Sequence, residues 1–310
     1  MLRFLIFLNM FLVSLSSYSS LETRNDLNKV YSNPRFKNNY KICIIGDSGM
    51  ASKGQELVAE SLMEERCDQI RHTGDIIYPD GLTNSKDKNF KKKFYRYYKG
   101  LMKKNIPIYL SMGNHDYHNS PNAWIDLSKK YAEIKFPSLY YMDIYNDFCF
   151  LTLDTNANFD EQINWLNKIK VDYKNICKNY FAFGHHPMFS SGEHGNASLE
   201  IQNFLKATIE GDVAAYFTGH DHNLEDIGVI NNTHHFISGA AGSAREFQTK
   251  PKVWGKAKLG YLVLEITYQS DQPKVNYSFF TVSKKSGKKK LAHAGKIQLN
   301  KENLASKEKN

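Results

Sequence analysis

No apolar run in this chain of 310 residues is long enough to cross a bilayer. The one extended run, Phe4 to Leu15, falls short of the roughly 20 residues that a spanning helix needs. Cysteine is scarce: Cys43, Cys67, Cys149 and Cys177 form no spacing that resembles a zinc site, and none follows the apolar run, which argues against a bacterial lipid anchor. No segment repeats, and no linker forces a division into two domains. Hydrophobic residues make up 41% and charged residues 24%, which excludes both wholesale disorder and a membrane bundle and leaves a soluble globular domain.

The N-terminus has a composition of its own. Met1-Leu2-Arg3, the apolar run and then Ser16-Ser17-Tyr18-Ser19-Ser20 predict a signal peptide over residues 1–20, cleaved near Ser19 or Ser20. The expected localisation is therefore secreted or periplasmic, with no stable membrane anchor. In an oxidising compartment the four cysteines allow two disulfides in three connectivities, while Cys43 and Cys149, in apolar strand-like runs, suit buried free thiols equally well.

The net charge of +9 is concentrated in two stretches. From Val282 onward nine lysines face two glutamates, and from Lys86 to Lys104 nine basic residues face one aspartate. Residues 283–310 read as a solvated Lys-rich tail. The Lys86 to Lys104 stretch, with Phe90, Phe94, Tyr97 and Tyr98 at helical spacing, reads as an amphipathic helix with its cationic face in water. Neither stretch identifies a partner; no specific nucleic acid is expected, and a monomer is.

After a polar lead-in (21–38), a catalytic domain is expected over 39–282. Short apolar runs at 41–45, 69–73 and 106–112 alternate with helical patterns, which predicts a parallel α/β sheet. Runs at 140–144 and 148–154 predict a hairpin, 180–183 and 213–217 further strands, and 162–169 and 199–209 helices. Strand-like runs at 234–238, 262–267 and 275–281, without helices between them, predict an antiparallel portion. The economical architecture is α/β, with two packed mixed sheets flanked by helices.

Five of these apolar runs end in a glycine followed at once by residues that bind metals: Gly46-Asp47-Ser48-Gly49, Gly74-Asp75-Ile76-Ile77-Tyr78, Gly113-Asn114-His115-Asp116, Gly184-His185-His186-Pro187 and Gly219-His220-Asp221-His222. The C-terminal ends of strands in an open α/β sheet share one edge, so these loops can converge on one crevice. Asp after Gly is ordinary turn chemistry when met once; five such motifs in order have no comparably simple explanation. Carboxylates at Asp47 and Asp75, the Asn114 amide and imidazoles at His185, His220 and His222 suit borderline to hard metals. Paired cations there would clamp the oxygens of a phosphoryl transfer.

The five motifs resemble those of the calcineurin-like metallophosphoesterases, and in detail those of the purple acid phosphatases of tartrate-resistant type. The resemblance runs from about Ile44 to Gly242. It implies the fold of that superfamily and a binuclear centre in which Asp47, Tyr78 and His222 hold Fe(III), Asn114, His185 and His220 hold a divalent metal (Fe, Zn or Mn), and Asp75 bridges. Gly49 stands where many relatives carry a histidine, and Tyr78 supplies a phenolate in its place. The resemblance also implies that His115 and His194 contact phosphate or donate protons while a hydroxide held by the metals attacks phosphorus. Asp116, next in sequence, is expected to accept a hydrogen bond from His115 and fix its orientation, the alternative being a turn-forming role. Asp221 reads as a loop-orienting residue. His186, in a strand-like geometry next to a ligand, is expected to point elsewhere, and His72, His118, His234, His235 and His293 match no motif position. The implied activity is acid hydrolysis of small phosphate monoesters. Two alternatives are a phosphodiesterase or nucleotide-cleaving relative with two divalent metals, and an inert metal- and polyanion-binding protein.

Overall fold

The structure, a computed structural model, describes residues 30–32, 37–269 and 272–299. The signal peptide expected at 1–20 lies outside them. No helix of the described residues is long and apolar enough to cross a membrane.

Strand β2 (Asn39–Ile45) shows how the sequence builds the layers. Its even residues Tyr40, Ile42 and Ile44 face one apolar core and its odd residues Cys43 and Ile45 face another, so every side chain of the run 40–45 except Lys41 is buried. Strand β7 (Phe148–Thr152) repeats the device, with Phe148 and Phe150 turned to the core shared with β2 and Cys149 and Leu151 turned the other way. The shared core lies between two sheets, and the two outer cores lie under helices.

One sheet has eight strands in the order β1 (Val30–Ser32), β6 (Tyr141–Tyr145), β7, β8 (Asn179–Phe183), β9 (Ala215–Thr218), β11 (Thr233–Ser238), β10 (Leu224–Ile230) and β12 (Trp254–Lys256). The other has seven: β15 (Lys289–Ile297), β14 (Gln272–Val282), β13 (Gly260–Gln269), β2, β3 (Gln69–His72), β4 (Ile108–Leu110) and β5 (Ile134–Lys135). β2 through β5 pair parallel, while β13, β14 and β15 form an antiparallel meander joined to β2. Both sheets are mixed, as expected. Helices α1 (Lys53–Glu65), α2 (Arg96–Lys103), the single turn α3 (Asn114–Tyr117) and α4 (Ala123–Lys130) follow strands of the seven-stranded sheet. Helices α5 (Phe159–Asp172) and α6 (Leu199–Ile209) cover the other.

Both disulfides form, Cys43–Cys67 and Cys149–Cys177. Each ties a strand, β2 or β7, to the point just past the following helix, two residues before the next parallel strand begins. The sheets are also joined through Arg71 of β3. Its buried guanidinium lies against the rings of Tyr109, Phe150 and Phe183 and meets the Asp143 carboxylate of β6 at 2.6 Å.

The structure departs from the sequence reading at the C-terminus. Residues read as a solvated tail from 283 form β15 and the turn before it, paired antiparallel with β14. Lys288, Lys289 and Lys290 are exposed and β15 is an edge strand, where lysines are ordinary because they discourage further pairing. Basic composition therefore concealed a strand. The amphipathic stretch is helical, opening as a π-helix at Phe90–Tyr95 and continuing as α2, with Phe90, Phe94 and Tyr98 buried.

Candidate metal centre

All five glycine-led loops leave their strands at one edge and bring their polar side chains together. Asp47, after β2, is fully buried; both of its oxygens accept the His220 N–H, at 3.1 and 2.9 Å, and Oδ1 also accepts the Tyr78 hydroxyl at 3.1 Å. Tyr78 in turn lies 2.9 Å from His222 Nε2, and that nitrogen lies 3.7 Å from Asp47 Oδ1. Asp47, Tyr78 and His222 thus form one group. In a second group Asn114 Oδ1 lies 3.0 Å from His185 Nε2 and 3.2 Å from His220 Nδ1, and those two nitrogens are 3.2 Å apart. Asp75 joins the groups: its Oδ1 is 3.5 Å from His185 Nε2, and one donor atom each of Asp47, Asp75 and His185 lie within 4.8 Å of one another.

Electrostatics shows what this arrangement is built for. Burial, then the charge of Asp75, pushes the Asp47 carboxyl well above its usual range. Burial pushes His185 and His220 far down and His222 down to about 4, so all three imidazoles are neutral. Their tautomers follow from their partners. His185 donates from Nδ1 to the Thr73 carbonyl at 2.8 Å, which leaves Nε2 as a lone pair aimed at another acceptor, Asn114 Oδ1. His222 Nδ1 is engaged by Ser243 Oγ at 2.7 Å, which directs Nε2 toward Asp47 and Tyr78. Carboxylates, an amide oxygen and imidazole lone pairs turned on one another in a buried space are mutually repulsive until a cation lies among them. The donor set therefore fits metal ions of the borderline to hard kind.

Gly49 has a structural reason. A Cβ there would lie 1.8 Å from the Ile76 carbonyl oxygen, and the Tyr78 N–H donates to the Gly49 carbonyl at 3.0 Å. The close crossing that excludes a side chain at 49 is the one that carries Tyr78 into the site.

The remaining candidates divide. His115 is part-buried, with Nε2 3.9 Å from Asp75 Oδ2, and the exposed His194 lies over His220 with ring centroids 4.2 Å apart. Asp221 accepts the His194 N–H at 2.9 Å and so holds that loop. Asp116 does not take the role expected of it. Its carboxylate accepts the backbone N–H groups of Ile76, Ile77 and Gly113, and His115 Nδ1 instead meets the Pro79 carbonyl. The short helix α3 turns Asp116 back under the loop, away from the imidazole beside it in sequence.

His186 was expected to point elsewhere and does not. It joins His185 and His220 in a second group with mutually close donor atoms, its ring 4.6 Å from that of His220 and its Nδ1 2.8 Å from Thr155 Oγ1. The chain turns after β8 ends at Phe183, so the alternation of a strand no longer governs residue 186. Thr155, in the loop that follows the neighbouring strand β7, carried no sequence signal.

The model of the calcineurin-like phosphoesterase family matches residues 40–224. Among curated proteins, tartrate-resistant acid phosphatase type 5 of Mus musculus is 29% identical over 213 residues, 59% of this chain and 63% of the relative, so the chain spans less than two thirds of its length. Purple acid phosphatase 3 of Arabidopsis thaliana is 26% identical over 276 residues, 79% of this chain and 72% of the relative. Among solved structures, GAP50, the anchor in the inner membrane complex of Plasmodium, superposes with a TM-score of 0.71 at 21% identity, covering 86% of this chain and 90% of that one. A dimetal phosphatase from Danio rerio gives 0.53 at 11% identity, over 84% and 98%. At such identities both show the fold alone. With the family match covering more than half its length and the fold in agreement, the chain belongs to the calcineurin-like phosphoesterase family.

Proposed function

We propose that this protein is an exported acid phosphatase that hydrolyses small phosphate monoesters at a binuclear metal centre. The carrying observation is the confrontation of unprotonated donors, above all His185 Nε2 against Asn114 Oδ1 at 3.0 Å. Asp47, Tyr78 and His222 would hold Fe(III); Asn114, His185 and His220 would hold a divalent metal; Asp75 would lie between. When bound, such cations offset the charge of a phosphoryl group and acidify water at neutral or lower pH. The protein's own groups do the rest. Buried Asp47 and Asp75 fix the donors against each other through the His220 and His115 amides. His115 and His194 border the site and would contact phosphate oxygens and pass a proton to the departing alkoxide. The two disulfides support export, since such bonds persist in oxidising compartments.

The test is metal analysis and a visible spectrum on protein purified without chelator, together with turnover of an aryl phosphate in the presence of tartrate. The expected result is an intense charge-transfer band that disappears in Tyr78→Phe, and activity that is lost in Asp75→Asn. A metal-loaded protein that is colourless and cleaves only diesters would overturn this reading in favour of two divalent metals with Tyr78 uncoordinated.

A further inference from the structure

Beside the metal centre opens a cavity of about 690 Å³, within the range of small-molecule sites. Asn114 and His186 form its inner wall, so it adjoins the position a phosphoryl group would take. Its outer walls are the starts of two helices, α5 from Phe159 and α6 from Leu199. Phe159 stacks on the buried Phe204 with centroids 4.7 Å apart, and the half-buried Phe159, Ile163 and Ile201 form an apolar strip in a lining that is otherwise mostly polar, with four asparagines.

The charge of this cavity runs against that of the molecule. The chain carries +9, yet no lysine or arginine of the described residues lines the cavity, whereas the exposed carboxylates Asp160 and Glu200 do. Both sit in first helical turns, where an acid is favoured by the helix dipole. That preference accounts for their stability, and the two helix N-termini offset part of their charge. Two full charges against two half charges still leave this outer rim net negative, while the cations proposed for the centre would meet the phosphoryl end.

We infer that this cavity receives the alcohol portion of the substrate and selects phosphate monoesters of apolar or aromatic alcohols that are neutral or cationic at their far end, discriminating against leaving groups that carry further negative charge. The inference rests on the phosphomonoesterase reading and narrows its substrate class. The strip of Phe159, Ile163 and Ile201 supplies contact area for one face of a ring. The carboxylates at the rim repel a second anionic group through water, so the discrimination weakens with salt.

Three matched substrates test this. All are phenyl phosphates with a para chain ending in an ammonium, a methyl or a carboxylate group, so their leaving groups differ little in intrinsic reactivity. With metal-loaded protein at low ionic strength, kcat/KM should fall from ammonium to methyl to carboxylate. The end members should differ on the order of tenfold, and less in high salt. Asp160→Asn with Glu200→Gln should collapse that span, and Phe159→Ala should lower kcat/KM for all three relative to a phosphorylated short aliphatic alcohol. Equal kcat/KM for the three, or a span unchanged in the double variant, would overturn the inference while leaving the phosphatase reading intact. Turnover of none of them would instead defeat the phosphatase reading. The cavity is then judged by binding of the free phenols to chelator-treated protein, measured by saturation-transfer NMR. A signal for the ammonium phenol that is lost in Phe159→Ala and absent for the carboxylate phenol supports the site, and equal signals refute it.

Discussion

Asp116 is fully buried, and its two oxygens are filled by backbone donors: Ile76 N–H at 3.1 Å from each, Ile77 N–H at 3.2 Å and Gly113 N–H at 3.0 Å. Asp116→Ala would leave those N–H groups without an acceptor. Each of the three buried donors so orphaned costs about 1–3 kcal/mol, so the loss should be roughly 3–9 kcal/mol, a large part of the total of about 5–15 kcal/mol for an ordinary domain. Asp116→Asn keeps the shape but turns an NH2 group toward one of the donors, for a loss of about 1–3 kcal/mol. Urea denaturation of metal-free protein should therefore rank wild type above Asn and Asn above Ala. Ile76 follows Asp75 and Gly113 precedes Asn114, so loosening these amides should also weaken metal binding by about 10–100-fold, measurable by competition with a chelator. If metal-free Asp116→Ala unfolds at the wild-type midpoint and the variant instead shows only a shifted pH–rate profile, the tethering argument is wrong and an imidazole-orienting role returns.

Two further predictions concern stability. The disulfides span sequence separations of 24 and 28, for which the loop-entropy relation gives about 3.5 kcal/mol each. Replacing either pair by alanines should lower stability by similar amounts in denaturant titrations, and a loss well under 1 kcal/mol for both would contradict the loop argument. His235 is buried with neither ring nitrogen partnered among the described residues, and burial pushes it down from 6.5 to about 4. A depressed folded-state pKa means that the unfolded chain binds the proton first. The stability tied to neutral His235 is thus whole above pH 6.5 and is lost as pH falls through about 4, some 3 kcal/mol in all. His235→Leu should flatten the pH dependence of the denaturation midpoint across that window; an unchanged slope would show that His235 does not titrate there.

The fold was legible where side-chain periodicity carried it. Runs such as 41–45 and 199–209 announced β2 and α6 because their burial is dictated by apolar spacing alone. Strand β15 was not legible, because an edge strand needs few buried residues and its lysines resemble a solvated tail. Strand β10 was hidden for another reason. It buries Glu225 and Asp226, which only their partners make acceptable: Ser191 N–H on Glu225, and His234, Tyr277 and His293 on Asp226. At the site, residues that directly follow a strand-ending glycine were readable from the motifs. The partners of Asp116 and the inward turn of His186 were not, since both depend on how a loop bends after its strand has ended.

The backbone at these motifs explains why glycine alone does not account for them. Asp47, Asp75 and His220 themselves adopt left-handed conformations, with φ of 56°, 53° and 69°. For residues other than glycine this is a strained choice, of order 1–3 kcal/mol each, which persists only where surrounding contacts determine it. Those contacts come from the donors themselves: the Asp47 carboxylate holds the His220 amide, and the Asp75 carboxylate holds the His115 amide at 3.0 Å. The preceding glycines serve mostly for clearance, since a Cβ on Gly113 would lie 2.1 Å from Asp75 Oδ1. Each carboxylate is thereby aimed inward by a bond to another loop of the same site, so the site is braced without metal. The same bracing holds like-natured lone pairs face to face, as at His185 Nε2 and Asn114 Oδ1. A fold that spends backbone strain to keep acceptors opposed has shaped the space for cations before they arrive.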